Sequence, residues 1–160
     1  MIRRADSKDA DAISRIARSV QALHAAALPA VFQQDTSVAF PAADIIGLME
    51  QPNRLFWIGI HDAHVAGYLY AEIQEKPATG VKLATTRLYI HQMGVLEANR
   101  GHGLGTALLQ AARGFASQHG IARMCLDVWT FNQGAHAFYR ANGFAVAREE
   151  LWSDVEGGAR

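Results

Sequence analysis

The sequence Arg100-Gly101-His102-Gly103-Leu104-Gly105-Thr106 lies between a strand-like run, 83–95, and a helix-like run, 106–117. Three glycines in five positions let the backbone approach a ligand closely and point successive N–H groups in one direction. The helix that follows adds the positive end of its dipole. This turn therefore predicts a site for a phosphate or pyrophosphate, and we take the rest of the chain to be arranged around it.

Two common nucleotide-binding patterns do not fit this turn. The dinucleotide pattern G-x-G-x-x-G, begun at Gly101, meets Thr106 in its last position, and begun at Gly103 it meets Leu108. The phosphate-loop pattern requires Lys and then Ser or Thr after its last glycine, where this chain has Thr106 and Ala107. What remains is R-x-x-G-x-G at the start of an amphipathic helix. A glycine-rich connection without any ligand stays open at this point.

Length and composition exclude several classes of protein. The chain has 160 residues, half of them apolar, which suits one domain spanning 1–160. Its 15 basic residues balance its 15 acidic ones without a block of like charge, so nothing favours nucleic acid or an anionic membrane as a partner. One cysteine, a polar N-terminus and no run long enough to span a bilayer indicate a soluble cytoplasmic protein.

The spacing of apolar residues, together with the glycines, prolines and capping residues that end helices and strands, predicts the order β-α-α-β-β-β-α-β-α-β. Asp6 and Ser7 cap the first helix, and Pro29 ends it. A bulge or bend is expected near Gly94, late in the strand that precedes the glycine turn. The remaining elements are a second helix at 41–50, strands at 55–60, 65–73, 83–95, 124–129 and 144–152, and helices at 106–117 and 132–141. Residues 157–160 read as a frayed tail.

A second motif follows downstream, Asn132-x-x-Ala135-x-x-Phe138-Tyr139-x-x-x-Gly143-Phe144. Together with R-x-x-G-x-G, in this order and with a helix and a strand between them, it resembles the GNAT superfamily of N-acetyltransferases. The resemblance is firm over 88–144, and the N-terminal half agrees in element order. It implies an α/β fold with a mixed, mostly antiparallel sheet flanked by about four helices. A splayed pair of strands would form the acetyl-CoA cleft.

The resemblance also implies roles for individual residues. Backbone groups of Met93, Gly94 and Val95 would pair with the pantetheine amides of acetyl-CoA, the cosubstrate. Asn132 would hydrogen-bond the cofactor near its reactive end, and Tyr139 would place its hydroxyl beside the thioester sulfur. The pyrophosphate would lie against Arg100, Gly101, His102, Gly103, Leu104, Gly105 and Thr106. Two alternatives stay open: Arg100 as a solvated surface charge, and Tyr139 as a packing residue.

Acetyl transfer to an amine needs a neutral amine, a polarised thioester carbonyl and a proton for the departing thiolate. Tyr139 is the candidate acid, and the N–H near Val95 is the candidate for polarisation. Family members often carry an acidic residue late in the fourth strand, where this chain has His91 and Gln92. The candidate bases are therefore His91 and Glu72, each with a structural alternative: a hydrogen-bonded strand histidine and a solvated surface glutamate.

The acceptor amine, on a small molecule or a peptide, is expected to meet His24, Phe32 and Trp152. Seven scattered histidines without ligand spacing predict no metal site. Only 16 residues follow Phe144, which leaves an open sheet edge and leads us to expect a homodimer. The alternative function is a non-catalytic sensor or scaffold that binds acyl-CoA.

Overall fold

The computed structural model describes residues 1–153 and Val155. The predicted tail at 157–160 lies outside the described residues. The strands are β1 (Ile2–Arg4), β2 (Arg54–His61), β3 (His64–Lys76), β4 (Thr85–Val95) and β5 (Met124–Cys125). The helices are α1 (Ala10–Ala27), α2 (Ala42–Met49), α3 (Leu104–Gln118) and α4 (Gln133–Ala141), with short 3-10 turns at Ser7–Asp9 and Glu97–Asn99.

The sheet has the order β1-β2-β3-β4-β5, and its first four strands are antiparallel. Strand β5 pairs in parallel with β4 at only two positions, Leu88 with Met124 and Tyr89 with Cys125. Beyond these pairs β4 continues to Val95, while the chain after β5 turns away. The expected mixed, mostly antiparallel sheet with four helices and a splayed strand pair is confirmed.

Local sequence explains where the first elements begin and end. Asp6 accepts a hydrogen bond from the Lys8 N–H, and the Asp9 carboxylate accepts one from the Asp6 N–H, so the turn before α1 is capped in both directions. Arg3 donates two hydrogen bonds of 2.8 Å to Asp9, which fixes β1 against the start of α1. Asp62 and Ala63 both have positive φ, as a two-residue hairpin between β2 and β3 requires.

Two apolar cores lie on opposite faces of the sheet. On one face α1 and α2 pack over β2 and β3, around the buried Ile13, Ile16, Ile45, Ile58 and Tyr68. On the other face α3 packs over the sheet, around Trp57, Leu69, Leu88, Leu108 and Leu109. Aromatic residues of α4 pack against the rim of this second core. Helices therefore cover both faces of the sheet.

Strand β4 carries one extra residue in its pairing with β3. Tyr70 pairs with Gln92 and Ala71 pairs with Ile90, which leaves His91 as a β-bulge. The expected bend near Gly94 was placed wrongly, since Gly94 pairs in register with Tyr68. The bulge aims two consecutive side chains at the same face: His91 contacts Glu72, and Gln92 accepts a hydrogen bond of 2.9 Å from the Tyr68 hydroxyl.

The predicted strand at 144–152 is wrong, because residues 144–153 are irregular. Its apolar residues recur at suitable spacing, but a strand needs a partner to satisfy its backbone groups, and no described strand pairs with it. Val146, Leu151 and Trp152 are consequently exposed. The strand expected at 124–129 shrinks to Met124–Cys125 and lies at an edge of the described sheet, not at its centre.

No helix in the described part of the chain combines the length and the apolar character that crossing a bilayer requires.

We predict that Gly94→Ala destabilises the fold by about 1–3 kcal/mol, because an added Cβ would overpack the contact between α1 and β4. That Cβ would lie 2.8 Å from Val20 Cγ2, 3.0 Å from Ile16 Cγ2 and 3.1 Å from Tyr68 Cε1. Gly114→Ala is the matched control, since a Cβ in the middle of α3 meets nothing within 4 Å. The control should stabilise by about 0.5–1 kcal/mol, as alanine does in helices. Denaturant unfolding measures both, and equal stability of the two variants would contradict the packing argument.

Candidate active site

The opening between β4 and the chain after β5 holds a cavity of about 530 Å³. Its walls come from α1, the connection between α1 and α2, β4, the segment after β5, and α4. Six residues singled out from the sequence line it: His24, Phe32, His91, Met93, Asn132 and Tyr139. Glu72 lies immediately behind His91, and Trp152 touches the wall from outside.

The glycine turn has the conformation that its sequence suggests. Gly101 and Gly103 have φ of +80° and +74°, in the left-handed region that favours glycine, and Gly103 directly precedes α3. A Cβ added to either would meet nothing within 4 Å, so the space above this backbone is open. The first N–H groups of α3 have no partner within the helix. The turn therefore fits the anionic pyrophosphate that the resemblance implied.

Two residues of the turn have structural roles as well. A Cβ on Gly105 would lie 3.1 Å from the Phe138 ring, so this glycine lets α4 pack closely against α3. The Leu104 side chain is buried beside Gly59 and Gly67, which leaves only its backbone for a ligand. Arg100 Nε donates a hydrogen bond of 3.2 Å to the Val95 carbonyl and so ties the turn to the end of β4.

Helix α4 supplies Asn132 and Tyr139. The Asn132 side-chain oxygen accepts a 3.0 Å hydrogen bond from the Ala135 N–H as the N-cap of α4, which leaves the amide NH₂ as its donor toward the cleft. Tyr139 lies between the rings of Phe138 and Phe144, with centroids at 5.2 and 5.5 Å. Burial raises the pKa of Tyr139 to about 12. Its hydroxyl therefore keeps its proton at any physiological pH and can serve as a donor.

Behind the cleft, Glu72 and His91 form a contact that sequence reasoning treated as two separate candidates. His91 Nε2 lies 2.7 Å from Glu72 Oε2. The glutamate side chain is only 14% exposed, so its interpretation as a solvated surface residue is wrong. Burial raises the pKa of Glu72, but hydrogen bonds from Gln74 and His91 and the charge of Arg54 outweigh it, and the net pKa is lowered. Glu72 is therefore anionic at neutral pH.

Arg54 completes this cluster and was missed from the sequence. Its Nη1 lies 2.9 Å from Glu72 Oε2 and donates a 2.7 Å hydrogen bond to the Tyr70 hydroxyl. Arg54 and Glu72 are direct partners in the pairing of β2 with β3. A charged residue at the start of an apolar strand was the available signal, but only the strand register shows which residue it faces.

The hydrogen bonds of the cluster assign the His91 tautomer. Nε2 is 3.1 Å from Arg54 Nη1 and 2.7 Å from the Glu72 carboxylate, and it cannot accept from one while donating to the other in the neutral ring. The shorter contact, to an anion, places the proton on Nε2. Nδ1 then carries the lone pair. The imidazole is further held by stacking on Tyr70, with ring centroids 4.8 Å apart.

A tyrosine and an aspartate join the two walls where the strands part. Tyr89 is the last β4 residue paired with β5, and its hydroxyl donates to the Asp127 carboxylate in the segment after β5. Burial, followed by this hydrogen bond, raises the pKa of Tyr89 to about 12. Because the Tyr89 hydroxyl keeps its proton across the neutral pH range, its hydrogen bond to Asp127 remains intact and links β4 to the segment after β5 where the strands separate.

The acceptor residues expected from the sequence are brought together only in part. His24 and Phe32 line the cavity and contact each other edge to face at 5.2 Å. Trp152 does not line it, but packs edge to face on Trp129 at 5.4 Å. Trp129, which was not among the expected acceptor residues, lines the cavity and contacts Phe32 at 5.3 Å. Among the residues described, no three His, Cys, Asp or Glu side chains are grouped as a metal ion would need.

Comparison with known families identifies a match over most of the chain. A family profile described as "Acetyltransferase (GNAT) family" matches residues 17–144. Among curated proteins, N-acetyltransferase 8F1 of Rattus norvegicus is 28% identical over 102 residues, which cover 64% of this chain and 44% of the rat protein. N-acetyltransferase 8B of Mus musculus is 28% identical over 89 residues, covering 56% of this chain and 37% of the mouse protein. The matches thus span less than half the length of these curated relatives.

Solved structures share the fold at low sequence identity. A tetramutant of the BH1408 protein from Bacillus halodurans superimposes with a TM-score of 0.92 at 18% identity, over 97% of this chain and 99% of the other. Aminoglycoside N-acetyltransferase AAC(6')-Iy, solved in complex with CoA, gives a TM-score of 0.68 at 17% identity, over 98% and 94% of the two chains. At these identities the likeness concerns the fold.

We predict that Glu72→Gln removes an acid-sensitive part of the stability. Because the folded state lowers the pKa of Glu72, the folded chain binds fewer protons than the unfolded chain in the acidic range. The contribution is present above the unfolded pKa of about 4.3 and is lost as the pH falls through the folded pKa. In urea unfolding, the difference between wild type and variant should be largest above about pH 5 and shrink toward pH 3. A difference that does not vary over this range would show that the cluster does not hold the carboxylate.

Proposed function

We propose, because the chain belongs to the GNAT family of acetyltransferases, that it transfers the acetyl group of acetyl-CoA to a primary amine of a small molecule or peptide, by direct attack in a ternary complex. The observation that carries this proposal is that the open edge of β4 and Tyr139 line one cleft, and that the glycine turn is tied to the end of β4 by the hydrogen bond from Arg100 to the Val95 carbonyl. Neighbours that share the fold are named as aminoglycoside N-acetyltransferases, which supports an amine as the acceptor.

The residues present fit acetyl-CoA along the length of the cleft. The left-handed Gly101 and Gly103 and the free N–H groups of α3 would hold the pyrophosphate. Past Tyr89, β4 has no described strand neighbour on the side away from β3, so the backbone groups of 90–95 that point to this side are available to the pantetheine amides, apart from the Val95 carbonyl that Arg100 contacts. The Asn132 amide would bind nearer the thioester. The cofactor supplies the acetyl group as a thioester, and Tyr139, which lines the cleft, would lie beside its sulfur.

The chain's own groups can handle the protons of the reaction. The nitrogen of the amine forms a bond to the acetyl carbon, the carbon–sulfur bond breaks, and one proton passes from nitrogen toward sulfur. Tyr139 donates a hydrogen bond to the departing sulfur, and its high pKa keeps that proton available. His91 Nδ1, which carries the lone pair, accepts the proton from nitrogen directly or through water. Glu72 acts through His91 as a positioning residue.

A homodimer stays our proposal for the assembly. The outer edge of the short strand β5 is free of described partners, and the exposed Val146, Leu151 and Trp152 follow α4. A second copy of the chain that covers the β5 edge and these apolar side chains would remove them from water. Sedimentation velocity measures whether the protein is a dimer.

We predict that Tyr139→Phe lowers kcat by about 10² or more and changes the CoA dissociation constant by less than about threefold. The variant keeps the ring that packs on Phe138 and Phe144 and removes only the hydroxyl. Thiol release from acetyl-CoA over a panel of amines, with an added mass of about 42 Da on the product, measures the activity. Wild-type turnover of the folded variant would contradict the role of the hydroxyl. A wild-type protein that binds CoA without turning over any amine would instead be the non-catalytic sensor.

We predict that His91→Gln lowers kcat/KM by about 10², because the amide cannot accept the proton of the attacking amine. CoA affinity should be unchanged, because the substitution leaves the β4 backbone and the glycine turn as they are. The matched control is His64→Gln, an exposed histidine at the start of β3 and outside the cleft. A kcat/KM of His91→Gln equal to that of His64→Gln would exclude His91 as the base.

A further inference from the structure

The cleft has an unusual charge pattern. Among the described residues that line it there is no lysine or arginine, and the only formal charges are those of Asp35 and Asp127. An acceptor that carries a carboxylate or a phosphate near its amine would find no cation to pair with. Burying such a group unpaired is costly, so the cleft selects against acidic amines.

Both of these carboxylates already have partners in the chain. Asp127 accepts from the Tyr89 hydroxyl. Asp35 accepts from the Ser37 hydroxyl and from the Ser37 N–H, and these hydrogen bonds lower its pKa, so it is anionic. Both carboxylates are exposed, and each can attract one ammonium group. An acceptor with more than two ammonium groups, such as a longer polyamine or a polycationic aminosugar, would find no further anion among the described lining residues.

The remaining wall is built from aromatic rings. His24 comes from α1, Phe32 from the connection to α2, and Trp129 from the segment after β5. The rings of His24 and Phe32 are 5.2 Å apart and those of Phe32 and Trp129 are 5.3 Å apart, all edge to face. Three segments that are distant in sequence thus place their rings in one continuous row across the acceptor side of the cleft.

One member of this row is fixed in its orientation by the backbone. His24 Nδ1 lies 2.8 Å from the Val20 carbonyl oxygen, so Nδ1 donates the hydrogen bond and the ring cannot turn freely. Val20 and Val38 add aliphatic surface to the same cavity. A wall of this kind binds a flat apolar body through ring edges and faces, and the faces also attract a cation.

We propose that the acceptor is a small monoamine with an aromatic body, an aryl-alkyl primary amine, which the row of His24, Phe32 and Trp129 recognises; this rests on the acetyl transfer proposed above. The amine nitrogen points toward His91 and the thioester, and the aromatic body lies against the row. Specificity for the acceptor is thus set by Phe32 and Trp129, which line the cleft and are not among the residues proposed to bind the cofactor.

The test compares 2-phenylethylamine, hexylamine and spermidine as acceptors of the full chain with acetyl-CoA. We expect kcat/KM for phenylethylamine to exceed that for spermidine by at least about tenfold, with hexylamine between them. Phe32→Ala and Trp129→Leu should each reduce the preference for phenylethylamine by about tenfold, and Phe32→Leu should restore part of it. CoA affinity and circular dichroism confirm that each variant is folded.

The matched control is Leu83→Ala, an apolar residue that is 85% exposed in the connection between β3 and β4, and it should keep the preference. Equal or better use of spermidine by the wild type would overturn the proposal. So would a preference that Phe32→Ala and Trp129→Leu leave unchanged.

A binding measurement separates this proposal from the function on which it rests. Calorimetric titration of phenylethylamine into the protein saturated with CoA reports on the cleft without any turnover. Binding that weakens in Phe32→Ala while no amine is acetylated would sustain the aromatic site and overturn the enzymatic function. Acetylation of other amines without detectable binding of phenylethylamine would sustain the enzymatic function and overturn the aromatic site.

Discussion

The structure depends on the unequal hydrogen bonding of the two edges of β4. One edge pairs with β3 along its full length, from Thr85 to Val95, whereas the other edge is paired with β5 at only two residues. Backbone N–H and C=O groups that are withdrawn from water must find partners, so an open strand edge beside a cleft is suited to pair with an extended ligand. The cavity, the position of α4 and the placing of the glycine turn all follow from this parting of two strands.

The glycines around the cleft are required for different physical reasons. Gly101 and Gly103 are needed for their backbone conformation, which residues with a side chain adopt at a cost. Gly94 and Gly105 have ordinary dihedral angles and are needed because α1 and the Phe138 ring approach them too closely for a Cβ. Substitutions at Gly101 or Gly103 would therefore act on the conformation of the turn. Substitutions at Gly94 or Gly105 would act on the packing between neighbouring elements.

The features that the sequence predicted well are those decided by local chemistry. The glycine turn, the helix that follows it and the helix that carries Tyr139 depend on neighbouring residues, and the helices were placed to within a few residues. The features that it missed depend on strand register. The bulge at His91 and the pairing of Arg54 with Glu72 are set by how β2, β3 and β4 align, which no local pattern encodes. The strand expected at 144–152 failed for the same reason, since a strand exists only with its partner.

The bulge has a consequence for how this site can change over generations. On either side of His91 the pairing with β3 is regular, with Tyr70 opposite Gln92 and Ala71 opposite Ile90. Removing this single codon would let the two halves of β4 join in one uninterrupted ladder, with every other side chain still on its present face. The imidazole therefore lies on a residue that the backbone pairing of β3 with β4 does not need, although its side chain contacts Glu72. A related chain that lost this residue would differ by a one-residue gap and not by a substitution.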